Sequence, residues 1–422
     1  MRCPTSNATF DVAVVGAGAA GQTAAIAAAS QGRRVALLEQ MDRPGLKVLA
    51  SGGGRCNLTN LAPLADYIKA FGRQGRFIVP AMGALSPADL RRGLVQWGVP
   101  TAVGEGGEVY PASQRAADVQ AALWRRIEQL GVAIRLGCPV RQLWIETGKL
   151  AGLDLSPRDR IAAAKVVLAC GGQSWPKLGG TGGGFPLARQ GGLEIRPPLP
   201  ALVPLITSER WPARLAGVSL PIARVWIEAR GQDKAGRHGG VLFTHRGLSG
   251  PAVLDISGAV SELLRRGPVP LRVEPVAGMD ASQWGVQLDA WRGSAGRRGV
   301  AGLLAKLLPR SLCDVVCEQA GVEPRTAIAQ LSASRRDALA KVLGGMELAV
   351  TATEGFETAF VTRGGVDLRG VNPRTLECRL LPGLHLAGEM LDLDGPTGGY
   401  NLQWAFASGW LAGQSAAGEQ RI

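Results

Sequence analysis

The first residues able to do chemistry together are Gly16-Ala-Gly18-Ala-Ala-Gly21. Glycines at this spacing serve three ends: a tight turn at Gly16, close approach of the Gly18 backbone to a pyrophosphate, and close helix–strand packing at Gly21. Ala19 and Ala20 sit where a helix must begin, so that its unpaired amides and dipole face the phosphates. Glu39 follows at about the ribose-binding spacing, with Gln40 behind it. A carboxylate there accepts hydrogen bonds from ribose hydroxyls and repels a 2′-phosphate. The pattern therefore points to FAD or NAD and against NADP.

The far end of the chain separates FAD from NAD. Gly388-Glu389 follows an apolar run, Leu384 to Ala387, and Gly398-Gly399-Tyr400-Asn401 precedes the last helical segment. A strand ending in Gly-acid can set its carboxylate against the ribityl hydroxyls of a flavin. The helix N-terminus can then face the pyrimidine edge, where negative charge gathers on reduction. An NAD-binding half alone needs no such return of the chain. The cluster Gly179-Gly-Thr-Gly-Gly-Gly184 has neither a preceding strand nor a ribose carboxylate, so it reads as a loop near the flavin. NAD(P)H, if used, docks transiently without a Rossmann domain of its own.

The elements that must hold these residues follow from periodicity. Phe10 to Val15 and Arg34 to Glu39 read as buried strands around an Ala-rich helix, Ala19 to Ser30, the opening of a doubly wound sheet. A helix near Arg115 to Leu130 precedes strand-like runs at Val132–Leu136 and Gln142–Glu146, and Lys165–Ala169 reads as a buried strand leading into Cys170-Gly171-Gly172. From about Ile195 prolines concentrate and alternating segments suggest antiparallel strands. Leu303, Leu304, Leu307, Leu308 and Leu312 recur at helical spacing. The expected organisation is α/β: residues 1–194 and 366–422 form one Rossmann-type FAD domain, 195–279 and 345–365 an inserted β-barrel, and 280–344 a small helical subdomain.

Three long blocks resemble one family. Lys47-Val-Leu-Ala-Ser51-Gly-Gly-Gly-Arg55-Cys56-Asn57-Leu-Thr59-Asn60, Leu242-Phe-Thr-His245-Arg-Gly-Leu-Ser-Gly-Pro251 and Leu386-Ala-Gly-Glu389 through Gly395-Pro-Thr-Gly-Gly-Tyr400-Asn-Leu-Gln-Trp404 resemble the BaiN-like, aminoacetone-oxidase-like bacterial flavoproteins, also termed NAD(FAD)-utilizing dehydrogenases. The resemblance runs from about residue 10 to 413 and implies a glutathione-reductase-like FAD domain interrupted by a β-barrel and a small helical subdomain. It places Gly16, Gly18, Gly21 and Glu39 on the ADP half, with the Val140 backbone meeting the adenine. Ser51, Gly52, Gly53, Cys56, Asn57, Gly388, Glu389 and Gly399 to Asn401 line the flavin side. Lys47, Gly398 and Cys170-Gly171-Gly172 complete the expected cofactor-binding set. Cys170 departs from the Thr often found before the paired glycines, and Leu376 to Cys378 also depart from the family pattern.

No catalytic residue is assigned. His245, in a loop between strand-like segments, fits either a proton donor or a hydrogen-bonded structural histidine. Tyr400 and Lys47 are comparable candidates. Disulfide reductases of this fold carry two cysteines after the first glycine motif. Here only Cys56 lies there, so dithiol exchange is not expected, and Cys56 is either a reactive thiol or a small buried residue.

Composition bounds the rest. Seven cysteines with no framework spacing suggest reduced thiols and a cytoplasmic setting, and three scattered histidines offer no metal site. The apolar stretch Val12 to Ala29, with Arg2 before it, is broken by the glycine motif, so neither a signal peptide nor a membrane span is expected. A net charge of +13 without long Lys/Arg runs reads mainly as solvated surface, while leaving a polyanionic partner open. The expectation is an FAD-dependent oxidoreductase moving a hydride between a small organic substrate and an electron partner, with NAD(P)H a candidate for the latter. A flavin-dependent RNA-modifying enzyme and a non-enzymatic flavin redox sensor are the alternatives.

Overall fold

The run Thr9–Val15 becomes wholly apolar after Asp11 because from there on it is covered on both faces. Val12, Ala13 and Val14 are fully buried. In the computed structural model, residues 9–156 and 159–418 are described, and Arg2 and Cys3 lie outside them. Thr9–Val15 pairs in parallel with Val35–Leu38 on one side and with Asp159–Leu168 on the other. Val35–Leu38 in turn pairs in parallel with Ala133–Arg135.

Asp159–Leu168 divides its second edge between two partners. Its first half takes an antiparallel meander, Lys149–Ser156 followed by Gln142–Glu146. Its second half pairs in parallel with Leu384–Leu386, Leu168 lying opposite Leu386. The seven strands make one mixed sheet. Val15, Leu38, Leu168 and Leu386 all end at its carboxyl edge, where open α/β sheets bind ligands.

The helix Ala19–Ala29 is buried at every position, between this sheet and the closing helix Tyr400–Ala417. Two glycines of the closing helix permit the contact. A Cβ at Gly409 would stand 2.1 Å from the Ala20 carbonyl oxygen, and one at Gly413 2.2 Å from that of Ala24. Side chains are therefore excluded at the points where the helices cross.

Two compact units result, Met1–Leu199 with Phe360–Ile422, and Pro200–Ala359. The second holds a closed six-stranded barrel in the order Leu205–Thr207, Gly247–Ser249, Arg237–Phe243, Ser219–Ile227, Val269–Glu274, Met346–Thr353. Closure leaves no sheet edge exposed. Helices Ala281–Ala295, Val300–Leu304, Arg310–Gln319 and Ala333–Leu343 enter between the last two barrel strands. Their Trp284, Leu312, Val316 and Leu339 share one continuous core with Val225, Phe243 and Val273 of the barrel.

The Rossmann-type fold class expected from the sequence is what the chain adopts, and the boundaries differ in two places. Residues 195–199 and 360–365, expected in the inserted body, belong to the first unit. There Ile195–Ala201 pairs with Val361–Val366 as a two-stranded ribbon. Pro197, Pro198 and Pro200, the first of the prolines that suggested a change of domain at 195, lie instead on this short ribbon, where the missing amide donors are tolerated. Among the described residues no helix is long and apolar enough to cross a membrane.

Candidate functional site

The glycine turn is fixed from both sides. Gly16 has φ +100°, and a Cβ there would lie 2.5 Å from the Ala169 carbonyl oxygen; at Gly21 a Cβ would lie 1.7 Å from the Gly16 carbonyl oxygen. Both positions exclude side chains for packing reasons. Gly18 is different: a Cβ there meets no protein atom within 4 Å. Its small size keeps space open in front of a helix N-terminus that carries no side-chain cap and no acid in its first turn. Unpaired amides facing open space are what a pyrophosphate requires. The residues present thus fit a dinucleotide.

Glu39 terminates Val35–Leu38 beside this turn. Its Oε2 accepts from the Ala17 N–H at 2.7 Å and its Oε1 from the Met41 N–H at 2.9 Å. Each oxygen retains a lone pair for a hydroxyl donor. The segment leading to Val140 runs alongside, with Gly137 and Cys138 amides donating to the Met41 and Glu39 carbonyls at 2.8 Å each. Gly16, Gly18, Glu39, Gln40, Lys47, Val140, Cys170, Gly171 and Gly172 thereby line one open groove.

The Gly179–Gly184 segment, expected near a flavin, contributes at two places. Gly179 accepts from the Gln40 side chain at 2.9 Å and packs on Met41, at the Glu39 end of the groove. Gly184 packs on Cys170 and Met390. The first contact sets one end of the loop beside Glu39, and the second sets the other end beside Cys170.

Lys47 lies on the short helix Leu46–Ala50, and its ammonium donates to the Glu389 carboxylate and, at 2.6 Å, to Ser174 Oγ. Ser174 donates in turn to Glu389 Oε1 at 2.6 Å, and the Thr362 N–H reaches the same oxygen at 3.0 Å. The Thr362 hydroxyl accepts from the Gln173 and Ser174 amides. Sequence reasoning named Lys47 and Glu389 separately and missed Ser174 and Thr362, both fully buried. Nothing in their local sequence marks them, because only the return of the chain brings 362 and 389 beside 174.

The two signature blocks far apart in sequence interlock. The Asn57 amide, turned so that its NH2 faces the Thr59 carbonyl, accepts from the Gly399 N–H at 3.2 Å. Asn60 donates to the Gly398 carbonyl at 3.1 Å. Gly399 has φ +96°, and a Cβ would stand 2.5 Å from the Thr59 carbonyl. Asn401 clamps the preceding turn through Gly395 and Pro396. Buried Tyr67 was also missed: its hydroxyl meets Thr59 Oγ1 and the Asn60 backbone, and its ring lies 4.7 Å from that of Tyr400. Gly388 closes on the fingerprint helix, its missing Cβ 2.9 Å from that of Ala20.

The thiols are held inert. Cys56 is fully buried at φ +62°, its amide bonded to the Ser51 carbonyl, beside the left-handed glycines Gly52 and Gly53. Burial pushes its thiol up to about 11. Burial raises Cys170 to about 12, and the Glu39 charge adds to this. The nucleophilic thiolate is therefore disfavoured at both positions. His245 belongs to the second unit, exposed in the turn Thr244–Gly247 after the strand Arg237–Phe243. A buried, hydrogen-bonded structural histidine is not what stands there.

The family model described as HI0933-like protein Rossmann domain matches residues 10–415. A 3-dehydro-bile acid delta(4,6)-reductase from Clostridium scindens is 35% identical over 96% of this chain and 98% of its own length. A ribosomal RNA dihydrouridine synthase from Escherichia coli is 33% identical over 96% of this chain and 97% of its own. Among solved structures, a 3-ketosteroid delta1-dehydrogenase from Sterolibacterium denitrificans shares the fold at TM-score 0.55 and 14% identity, covering 97% of this chain and 99% of that one. With its glycine turn, the Glu39 carboxylate beside it and its returning C-terminal strand, the chain belongs to the HI0933-like family of FAD-dependent oxidoreductases.

Proposed function

We propose that the groove at the carboxyl edge of the sheet holds FAD, and that the enzyme adds two hydrogens across a carbon–carbon double bond activated by a neighbouring carbonyl. The observation that carries the cofactor part is the uncapped helix N-terminus at Gly18, opening on the groove that Glu39 enters. In this reading Gly16, Gly18, Ala19, Ala20 and Gly21 cradle the pyrophosphate. Glu39 and Gln40 take the adenosine ribose, and Val140 the adenine. Ser51 to Asn57, Gly388, Glu389 and Gly398 to Asn401 line the flavin. Cys170, Gly171 and Gly172 close the groove floor. Bound FAD supplies hydride chemistry that no side chain offers.

The protein's own part is orientation and charge. Glu39 holds the glycine turn through Ala17 while keeping lone pairs for ribose, and its charge disfavours a 2′-phosphate. The names of both curated relatives describe reduction of a carbon–carbon double bond, which supports that reaction over amine oxidation. The buried, protonated Cys56 argues against electron relay through a thiol. NADH or NADPH docks transiently as donor. Free thiols at the six described cysteines suit a reducing, cytoplasmic setting.

A second reading has specific support: a net charge of +13 and the name of the Escherichia coli relative favour a uracil ring within RNA as the acceptor. The test is anaerobic stopped-flow mixing of the purified protein with NADH and NADPH, then with a conjugated enone, an amine panel, free uridine and structured RNA. Released flavin is identified by chromatography. Reoxidation by the enone supports the first reading, and reoxidation only by RNA supports the second. FMN or no flavin sinks the cofactor assignment, and reduction by amines instead of nicotinamides reverses the direction.

A further inference from the structure

Lys47 and Glu389 approach the N-terminus of the helix Ala19–Ala29 by separate attachments. Lys47 follows Gly45, whose N–H donates to the Ala17 carbonyl at 2.9 Å within the glycine turn. Glu389 follows Gly388, which packs on Ala20. The Lys47 side chain, 30% exposed, forms part of the groove wall together with Gly16 and Gly18.

Glu389 is nearly saturated in this arrangement. Oε1 accepts from both Ser174 and Thr362, and Oε2 takes the Lys47 ammonium, so at most one lone pair remains for a ligand hydroxyl. Lys47 spends two of its three donors on Glu389 and Ser174. The pair is neutral as a unit, whereas a dinucleotide brings two negative charges to the adjacent helix N-terminus. A pyrophosphate is thus a stronger partner for this ammonium than a carboxylate already satisfied by a hydroxyl and an amide.

On the reading of this groove as an FAD site, we propose that Lys47 exchanges partners when the cofactor binds. Its ammonium leaves Glu389 for a phosphate oxygen, and the freed Glu389 oxygen accepts ribityl hydroxyls. Until then the ion pair keeps both side chains oriented. Ser174 and Thr362 keep Glu389 in place after Lys47 departs.

ADP and FAD separate the two halves of this exchange, because ADP carries both phosphates and no ribityl chain. The full-length protein, stripped of flavin, is titrated with each ligand by calorimetry. Lys47→Met is expected to weaken both ADP and FAD by about ten- to hundredfold, the loss of a charge-assisted bond, and Lys47→Arg to restore most of it. Glu389→Gln is expected to weaken FAD but to leave ADP unchanged or tighter, since it removes the competitor for Lys47. Unchanged ADP affinity in Lys47→Met overturns the proposal, as does a Glu389→Gln variant that loses ADP as Lys47→Met does. So does loss of ADP binding in Arg43→Met, the other cation of the wall, without loss in Lys47→Met. Should Lys47→Met not fold, the Glu389→Gln arm decides alone. A wild-type protein that binds neither ligand refutes the FAD reading itself, a distinct result.

Discussion

Glu39 has two duties that a single substitution separates from the rest of the site. Glu39→Ala removes the acceptor for Ala17 and Met41 and, on the proposed reading, the ribose acceptor, so FAD affinity should fall by about 1.5–3 kcal/mol. The melting temperature should fall with it even without flavin. The flavin-to-protein ratio after gel filtration and a thermal melt of the apoprotein measure the two losses. A second residue sets an acid limit on stability. His385 is buried in Leu384–Leu386 between the Gly383 carbonyl and Ser415 Oγ, and burial pushes it down to about 4. The unfolded chain then takes up the proton first, near pH 6.5. Stability from this residue is complete above that value and drains as pH falls toward 4, by about 2–3 kcal/mol at pH 4.5. Urea unfolding at pH 7.5 and 4.5 should show this loss, and His385→Gln should flatten it. Asp367, held near 2 by the Arg369 and Arg196 guanidiniums, loses its contribution only below about pH 4, so the two windows are distinct. At this scale the glycine turn and Glu39 were legible because their spacing is local. Ser174 and Thr362 were not, since each gains its role from a partner distant in the chain, nor was the packing of the Tyr67 ring on Tyr400.

At the scale of elements, the contact between Ala19–Ala29 and Tyr400–Ala417 should govern cofactor retention without touching the cofactor. Gly413→Val puts a branched side chain where even a Cβ would lie 2.2 Å from the Ala24 carbonyl oxygen. The helices must part, at about 1–3 kcal/mol, and the N-terminal amides shift with them, so flavin occupancy should drop along with the melting temperature. Gly293→Ala is the control: it lies within Ala281–Ala295, a Cβ there meets nothing within 4 Å, and the exchange should be neutral or stabilising by up to about 1 kcal/mol. The sequence revealed both helices by composition and by their flanking glycines, although neither has a pronounced apolar stripe, because burial on every side removes the contrast on which periodicity depends. The strand read as Lys165–Ala169 extends from Asp159 to Leu168. Its first half carries charges and alanines that suit an antiparallel partner, and so it lacked the unbroken apolar run that marked the second half. Lys149–Ser156 was missed for the same reason. The boundary near 195 was misplaced because proline density reports backbone chemistry, which a ribbon edge and a domain junction share.

Taken whole, the molecule has two hydrophobic cores, one built on the mixed sheet and one shared by barrel and helices. Every proposed cofactor contact lies in the unit built around the first. Scanning calorimetry of the apoprotein should resolve two components, and FAD at a hundredfold excess over its dissociation constant should stabilise only one of them, by about 2.7 kcal/mol. A single transition raised as a unit would mean that the barrel unfolds only with the FAD unit. The divided edge of Asp159–Leu168 has a consequence for how the chain comes into being. Leu168 leaves the ribosome long before Leu386, its neighbour in the sheet. At typical synthesis rates the gap is roughly 10–40 s. For that interval the nascent sheet shows an unpaired backbone, and the alanine-lined helix beside it has no closing helix to cover it. The whole barrel unit is made while this edge waits, so birth order makes the newest segment the last stave of the oldest wall, and the polypeptide needs shelter until it arrives.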